Sequence, residues 1–303
     1  MDHYVKNVDG MKGKDSMNED TSKVSGGLNL KTRRILCYIF LVFISLLCLF
    51  WFYVLFINAT RSHSDLTKGF TPVPGDALLT NLHNLFTGTQ PVISGLFNSL
   101  IVAGGTAVLS IYFSTMTAYA IHAYDFKLRK AAFTFILAVM MIPTQVTALG
   151  FIQLVNRMGL MDSFIPLIIP AIASPITFFY LKQYMDSVLS ISLIEAARID
   201  GAGEFRTFNT IVLPLMKPAI AVQVIFCFVS SWNNYFTPAL ILHDENKKTL
   251  PILIAQLRAA DWLKFDMGQV YAMIAFSIFP VIIVYLCLSR YIVGGVTAGG
   301  VKE

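Results

Sequence analysis

Between Ile35 and Ile57 the chain runs for 23 residues without a charged side chain. As a helix rising about 1.5 Å per residue, a run of that length crosses the roughly 30 Å hydrocarbon core of a bilayer. Lipid offers a backbone no hydrogen-bond partner, so a single spanning run must be helical. Further apolar runs cover residues 93–122, 131–154, 163–181, 218–242 and 270–289. Only 14% of the 303 residues are charged, against about 25% in soluble domains. The expected fold class is therefore all-α, a polytopic membrane protein with six transmembrane helices.

The first run reads as a retained helix, not a signal peptide. It is too long, its preceding tail is too extended, and no small-x-small cleavage site follows it. Residues 1–34 are polar and glycine-rich, with too little apolar surface to fold alone, and are expected to be disordered. Residues 58–92 form a polar loop with Pro72, Pro74 and Gly75, and an interfacial helix is expected over residues 78–86. Gly104, Gly105, Ser110 and Ser114 are small enough for close helix packing in the second run. Pro143 should kink the third span, and Pro166, Pro170 and Pro175 should kink or partly unwind the fourth.

Sixteen of the 23 lysines and arginines fall in the N-tail, the 121–130 turn, the polar insert at 182–217 and the C-terminal segment. Such an excess marks the cytoplasmic side. Both termini and the insert are thus expected in the cytoplasm, although the 243–269 loop opposite carries as many basic residues as the insert. The net charge of +5 sits in loops beside spans and is no nucleic-acid footprint.

Several chemistries are missing. There is no G-x-x-x-x-G-K-[ST] phosphate loop. Cys37, Cys48, Cys227 and Cys287 lie inside apolar runs without metal or redox spacing and read as small buried hydrophobes. The histidines are scattered, so no metal site is assigned. No nucleophile–base pattern appears, and no ionisable residue sits deep in an expected span. Ion-coupled carriers place such groups near the midplane. A chain with no visible fuel-handling chemistry but a structured cytoplasmic insert suggests a partner as the source of force.

The insert is where a partner could push. Ser192 and Glu195 have the S-x-x-E spacing of a capping box, which predicts a helix start there. Arg198, three residues after Glu195, is placed to pair with it. Ala196 and Ala197 allow another surface to approach closely. Gly201 and Gly203 supply a turn. A second helix is expected over residues 204–212, with Pro214 and Pro218 ending it and opening the next span.

The string Glu195-Ala-Ala-Arg-Ile-Asp-Gly-Ala, followed by Phe208-Asn-Thr-Ile-Val-Leu-Pro-Leu, resembles the "EAA" loop of ABC importer permeases of the binding-protein-dependent, MetI-like family. Asn98-Ser99-Leu100, Met141-Ile142-Pro143, Ser231-Trp232-Asn233-Asn234-Tyr235-Phe236 and the ending Gly295-Val-Thr-Ala-Gly-Gly-Val-Lys302 resemble its sugar-uptake branch, the group of the smaller maltose-permease subunit. Ser190 stands where relatives often carry proline, and Ser192 where an acid is common. The resemblance covers residues 35–303. It implies a permease core at 93–294, between the extracytoplasmic 58–92 loop and a cytoplasmic tail at 295–303, in a prokaryotic plasma membrane. It implies a second permease subunit, an ABC ATPase dimer carrying ATP-Mg, an extracellular solute-binding protein and a sugar substrate, of oligosaccharide class. No cofactor is expected in this chain itself. Carried over residue by residue, Glu195, Ala196, Ala197, Asp200 and Gly201 would form the ATPase-coupling element, with Ile211, Leu213 and Pro214 anchoring its second half.

Trp232, Asn233 and Asn234 combine an aromatic face with amides, which suits a sugar but equally suits helix packing. With Gln145 they are the candidate substrate path. The 243–269 loop is expected to meet the binding protein. The competing functions are a proton-coupled sugar carrier, which would transport alone, and a membrane scaffold without a motor.

Overall fold

The computed structural model describes residues 30–260 and 265–299. Residues 1–29 of the tail expected to be disordered over 1–34, and the end of the C-terminal tail, lie outside the described residues; residues 30–34 are not disordered but form the start of the first helix. The chain divides at Trp51 into two compact units. The described part of the first is helical and belongs to α1 (Leu30–Ala59). From Lys31 to Trp51 its side chains are exposed all round the helix, and from Ile35 on that surface carries no charge and suits lipid.

The second unit starts at Phe52. After α1 come α2 (His63–Thr67) and α3 (Leu78–Thr87), the latter within a residue of the expected interfacial helix. Asn81 on α3 is buried and donates through Nδ2 to the carbonyls of Ala59 and Arg61, both at 3.0 Å. That anchors the loop to the end of α1, because an unpaired amide here would carry its full desolvation cost.

The central helix is α4 (Val92–Ala123), packed chiefly against α8 (Pro175–Val188) and α12 (Lys217–Trp232). Its buried Ala103, Ala107, Ser110, Ser114 and Ala118 recur at three- and four-residue steps and so share one face. Small residues there let neighbouring backbones approach. Of the two expected packing glycines, a Cβ on Gly105 would stand 3.0 Å from the Ile168 side chain, whereas one on Gly104 would meet nothing within 4 Å.

Proline explains the next breaks. The third run is not kinked but broken: α5 (Arg129–Val139) and α6 (Thr144–Arg157) meet at 95°. Pro143 stands at the N-cap of α6, and it keeps Ile142 out of helical geometry. The fourth run is partly unwound as expected, with α7 (Ile165–Ile168), a 3-10 segment (Ile169–Ala173) and α8 in succession. Helix α8 continues to Val188, beyond the expected end at 181. Lys182 is buried and reaches Asp186 Oδ2 one turn on at 2.7 Å, so its charge can stay inside a helical turn.

After α8 come α9 (Ile191–Ile199), α10 (Glu204–Thr207), a π-helical stretch (Phe208–Val212), α11 (Leu213–Leu215) and α12. The fifth span is shorter than expected. It stops at Trp232 and resumes as α13 (Phe236–Ile241), at whose first turn Asn234 Oδ1 accepts the Thr237 N–H at 3.4 Å. The 243–269 loop also differs from expectation. It contains a 3-10 turn (Glu245–Lys247) and α14 (Leu250–Arg258), whose Leu250, Ile252 and Leu253 are buried. Asn98 holds this segment through the carbonyls of Asn246 and Lys248 at 2.8 and 2.9 Å, and Ser99 Oγ accepts the first N–H of α14 at 2.8 Å. The last helix, α15 (Met267–Gly299), starts earlier and ends later than expected and passes through Pro280.

The cysteine expectation fails for three positions. Cys37, Cys48 and Cys287 are exposed. Cys227 is half-buried, with Sγ 3.2 Å from Thr177 Oγ1 in a polar knot with Ser110.

Candidate functional site

The polar insert folds as a short helix, a glycine turn and a second helix, but not through the contacts expected from spacing. Helix α9 starts at Ile191, with Ser190 as N-cap at φ −76° and ψ 143°. Those angles suit a proline as well as a serine. Ser192 lies inside the first turn and donates to Ser190 Oγ at 3.2 Å. The Ser192–Glu195 capping box therefore does not form, since Glu195 is already the fifth helical residue and Ser190 makes no side-chain cap.

Two faces of α9 do different things. Ile194 and Ala197 are buried, Ile194 in a core with Tyr119, Leu181, Met185, Phe208 and Met216. Glu195, Ala196 and Asp200 are exposed. One side of the helix is thus fixed to the spans, and the other offers a carboxylate beside a methyl-sized surface.

The turn after α9 is a Schellman arrangement. Gly201 takes φ +77°, its N–H bonds the Arg198 carbonyl at 3.0 Å, and the Ala202 N–H bonds the Ala197 carbonyl at 2.9 Å. A Cβ at Gly201 would meet nothing within 4 Å. Backbone angle alone selects glycine here.

The Glu195–Arg198 pairing is also corrected. Arg198 turns away and donates through Nε to Glu204 Oε1 at 2.6 Å, across the glycine turn. Its guanidinium carbon lies 5.3 Å from the centre of the Tyr124 ring. Glu204 Oε2 accepts the Tyr119 hydroxyl at 2.8 Å. The Arg198 guanidinium lowers the Glu204 carboxyl to about 2, against partial burial, with help from the Tyr124 and Tyr119 hydroxyls. The same pairing raises Arg198. This clamp joins the end of α9, the start of α10 and the end of α4. Spacing could not reveal it, because the partners are six residues apart with a turn between them.

The second half runs on past the expected boundary. Pro214 does not end a helix; it lies in α11 directly after the π-helical stretch. Proline has no N–H for the carbonyl four residues back, and the wider turns take up that mismatch. Ile211 and Leu213 are half-buried and Pro214 is exposed, while Val212 and Met216 enter the core. The chain then turns by 81° into α12.

The substrate-path residues are separated. Trp232 is 3% exposed, stacked on Phe228 at 5.5 Å, with its indole N–H on the Ser277 carbonyl at 3.2 Å. It is a core residue with no face for a sugar. Asn233 and Gln145 are exposed. Asn234 lines a cavity of about 280 Å³ with Thr144, Thr147 and Phe151, between α4, α6, α7 and the α12–α13 break. Among the described residues no cluster of three metal-ligating side chains occurs.

Residues 110–297, more than half of the chain, match the family described as "Binding-protein-dependent transport system inner membrane component". The chain belongs to that family. The match contains α9, the clamp and the π-helical stretch. The permease is 35% identical over 275 residues to the arabinooligosaccharides transport system permease protein AraQ of Bacillus subtilis (strain 168), covering 89% of this chain and 96% of that one. It is 33% identical over 267 residues to the sn-glycerol-3-phosphate transport system permease protein UgpE of Yersinia pestis bv. Antiqua (strain Antiqua), covering 86% and 95%. A crystal structure of a bacterial ABC transporter involved in the import of the acidic polysaccharide alginate contains a chain of the same fold. Its TM-score is 0.74 at 24% identity, over 88% of this chain and 99% of that one. The permease is thus an all-α, multi-pass membrane protein, the transmembrane subunit of a binding-protein-dependent system.

Proposed function

We propose that the permease is one of two membrane subunits of an ATP-driven sugar importer and takes up oligosaccharides. The observation that carries this reading is the division of α9 into a core-locked face and an exposed face of Glu195, Ala196 and Asp200. A motor that grips the exposed face moves the spans, because Ile194, Ala197 and the Glu204 clamp leave α9 little freedom of its own. The sugar class rests on the AraQ relatives, whose names concern arabinooligosaccharides.

In this reading, separate ATPase subunits hold ATP-Mg and hydrolyse it, so the permease catalyses nothing itself. Both termini and the insert face the cytoplasm. A solute-binding protein docks on the opposite side, where α14 and the Glu245–Lys247 turn form a braced platform. Asp162 braces it by accepting the His243 and Asp244 N–H groups, the latter at 2.8 Å, which holds its carboxyl below the usual range. Asn234 and the Thr144–Gln145 corner line the sugar path. The test is uptake and ATP hydrolysis in reconstituted transporter carrying Glu195→Lys or Gly201→Asp. Both variants should insert and assemble but hydrolyse ATP without uptake. Wild-type uptake in both would remove α9 from the mechanism.

A further inference from the structure

One wide cavity of the second unit lies at neither the coupling helix nor the sugar path. It measures about 1020 Å³ and opens where the α4–α5 turn meets α8. Lys127, Arg129, Lys130 and Lys182 line it, with Asp125 and Asp186 as the acids. Asp186 is already engaged, by Lys182 at 2.7 Å and by His122 Nδ1 at 2.8 Å. Among the described residues, Lys127, Arg129 and Lys130 have no carboxylate within ion-pairing distance. The mouth of the cavity is therefore cationic and in need of an anion.

A second cavity, of about 360 Å³, continues along the same three helices. On α4 the lining passes from Ile121 to Thr117 and Ser114, on α5 from Lys130 and Phe133 to Ile136 and Val139, and on α8 from Lys182 to Phe178 and Pro175. Each step is one or two helical turns, in the direction of the span interior. The inner cavity is walled mainly by apolar side chains and holds no charged residue. Helix α5, which forms one wall of both, has no buried residue of its own. Something apolar has to fill the seam between α5 and its neighbours.

We propose that the α4–α5–α8 seam binds one anionic phospholipid. The phosphate lies among Lys127, Arg129 and Lys130, and an acyl chain lies along Ile136, Val139 and Phe178. A free phosphate would satisfy the mouth and leave the inner cavity empty. A neutral lipid would fill the inner cavity and leave three cations unpaired. Only an anionic lipid matches both halves of the seam. The lipid would hold α5 against α4 and α8 and so tune how stiffly the spans follow the insert.

The test uses the full chain, assembled with its co-expressed partners, in nanodiscs with dioleoylphosphatidylglycerol diluted into dioleoylphosphatidylcholine. Bound lipid is read by native mass spectrometry after mild extraction. Wild type should retain phosphatidylglycerol over phosphatidylcholine. Each basic residue near an anionic headgroup contributes about fivefold in affinity, so Arg129→Ala with Lys130→Ala should lose roughly 30-fold. Ile136→Trp, which fills the inner cavity and leaves the cations in place, should also lose the lipid. Inorganic phosphate in place of the lipid should not protect α5 from hydrogen exchange. Equal retention by wild type and both variants would overturn the proposal. So would protection by phosphate that survives Ile136→Trp, which would mean a free-anion site. Cross-linking of Ile136→Cys to a partner chain would mean that protein, not lipid, fills the seam.

Discussion

Glu204→Ala tests the clamp, because its two bonds differ in burial. Arg198 and Glu204 side chains are 36% and 40% exposed, so losing their bond should cost only about 0.5 kcal/mol after solvent screening. Tyr119 is 4% exposed. Stripping the partner from its hydroxyl should cost about 1–3 kcal/mol. Together they come to about 1.5–3.5 kcal/mol, most of it from the tyrosine. A double-mutant cycle separates the two contributions. Tyr119→Phe removes the orphaned hydroxyl, so Tyr119→Phe with Glu204→Ala should be less destabilised than the sum of the single variants, with a coupling of about 1–2 kcal/mol. The Arg198→Ala and Glu204→Ala cycle should give only about 0.5 kcal/mol. Unfolding in mixed micelles, followed by fluorescence, reads both. If Tyr119 and Glu204 prove additive within about 0.3 kcal/mol, or if the arginine couples more strongly than the tyrosine, the clamp is not built as described.

The clamp also sets a pH response. Folding lowers the Glu204 carboxyl from 4.5 to about 2, so its stabilisation is complete above the unfolded value and disappears as pH falls from 4.5 toward 2. Glu204→Gln should flatten that part of the stability profile. Gly201→Ala should cost about 1–2 kcal/mol from the left-handed backbone alone, and thermal unfolding should show it without a repacking signature, since the site is open. Trp232→Ala should cost about 3–5 kcal/mol through the cavity it leaves. Any folded Trp232→Ala protein should keep its apparent affinity for sugar in uptake assays.

Apolar runs were enough to show the membrane class and the place of the long helices, but not α2, α13 or α14. One span boundary moved through a side chain one turn away. Buried Lys182 extended α8 because Asp186 waits one turn on. Pro143 was legible as a disruption, but not as a 95° break, because the angle depends on what the two halves pack against. The helix and glycine turn of the polar insert were recognisable from its residues, and Gly201 makes the turn its type suggested. Its contacts were not. An S-x-x-E string describes a helix start only if the chain enters there, and Ile191 lets it begin earlier. Glu204 and Tyr119 escaped notice because they are 85 residues apart and meet only once α4 and α10 are folded together. Trp232 looked equally suited to a sugar and to a core, and packing alone decides between them.

Force from a separate motor can reach the spans only if α9 presents Ala196 to the cytoplasm. The direct measurement is Ala196→Cys in an otherwise cysteine-free chain, treated with a membrane-impermeant maleimide on intact spheroplasts and on inverted vesicles. The account predicts labelling in inverted vesicles stripped of peripheral subunits, protection when the ATPase subunits are restored, and none on spheroplasts. Labelling from outside, or labelling from inside that added ATPase leaves unchanged, would contradict it.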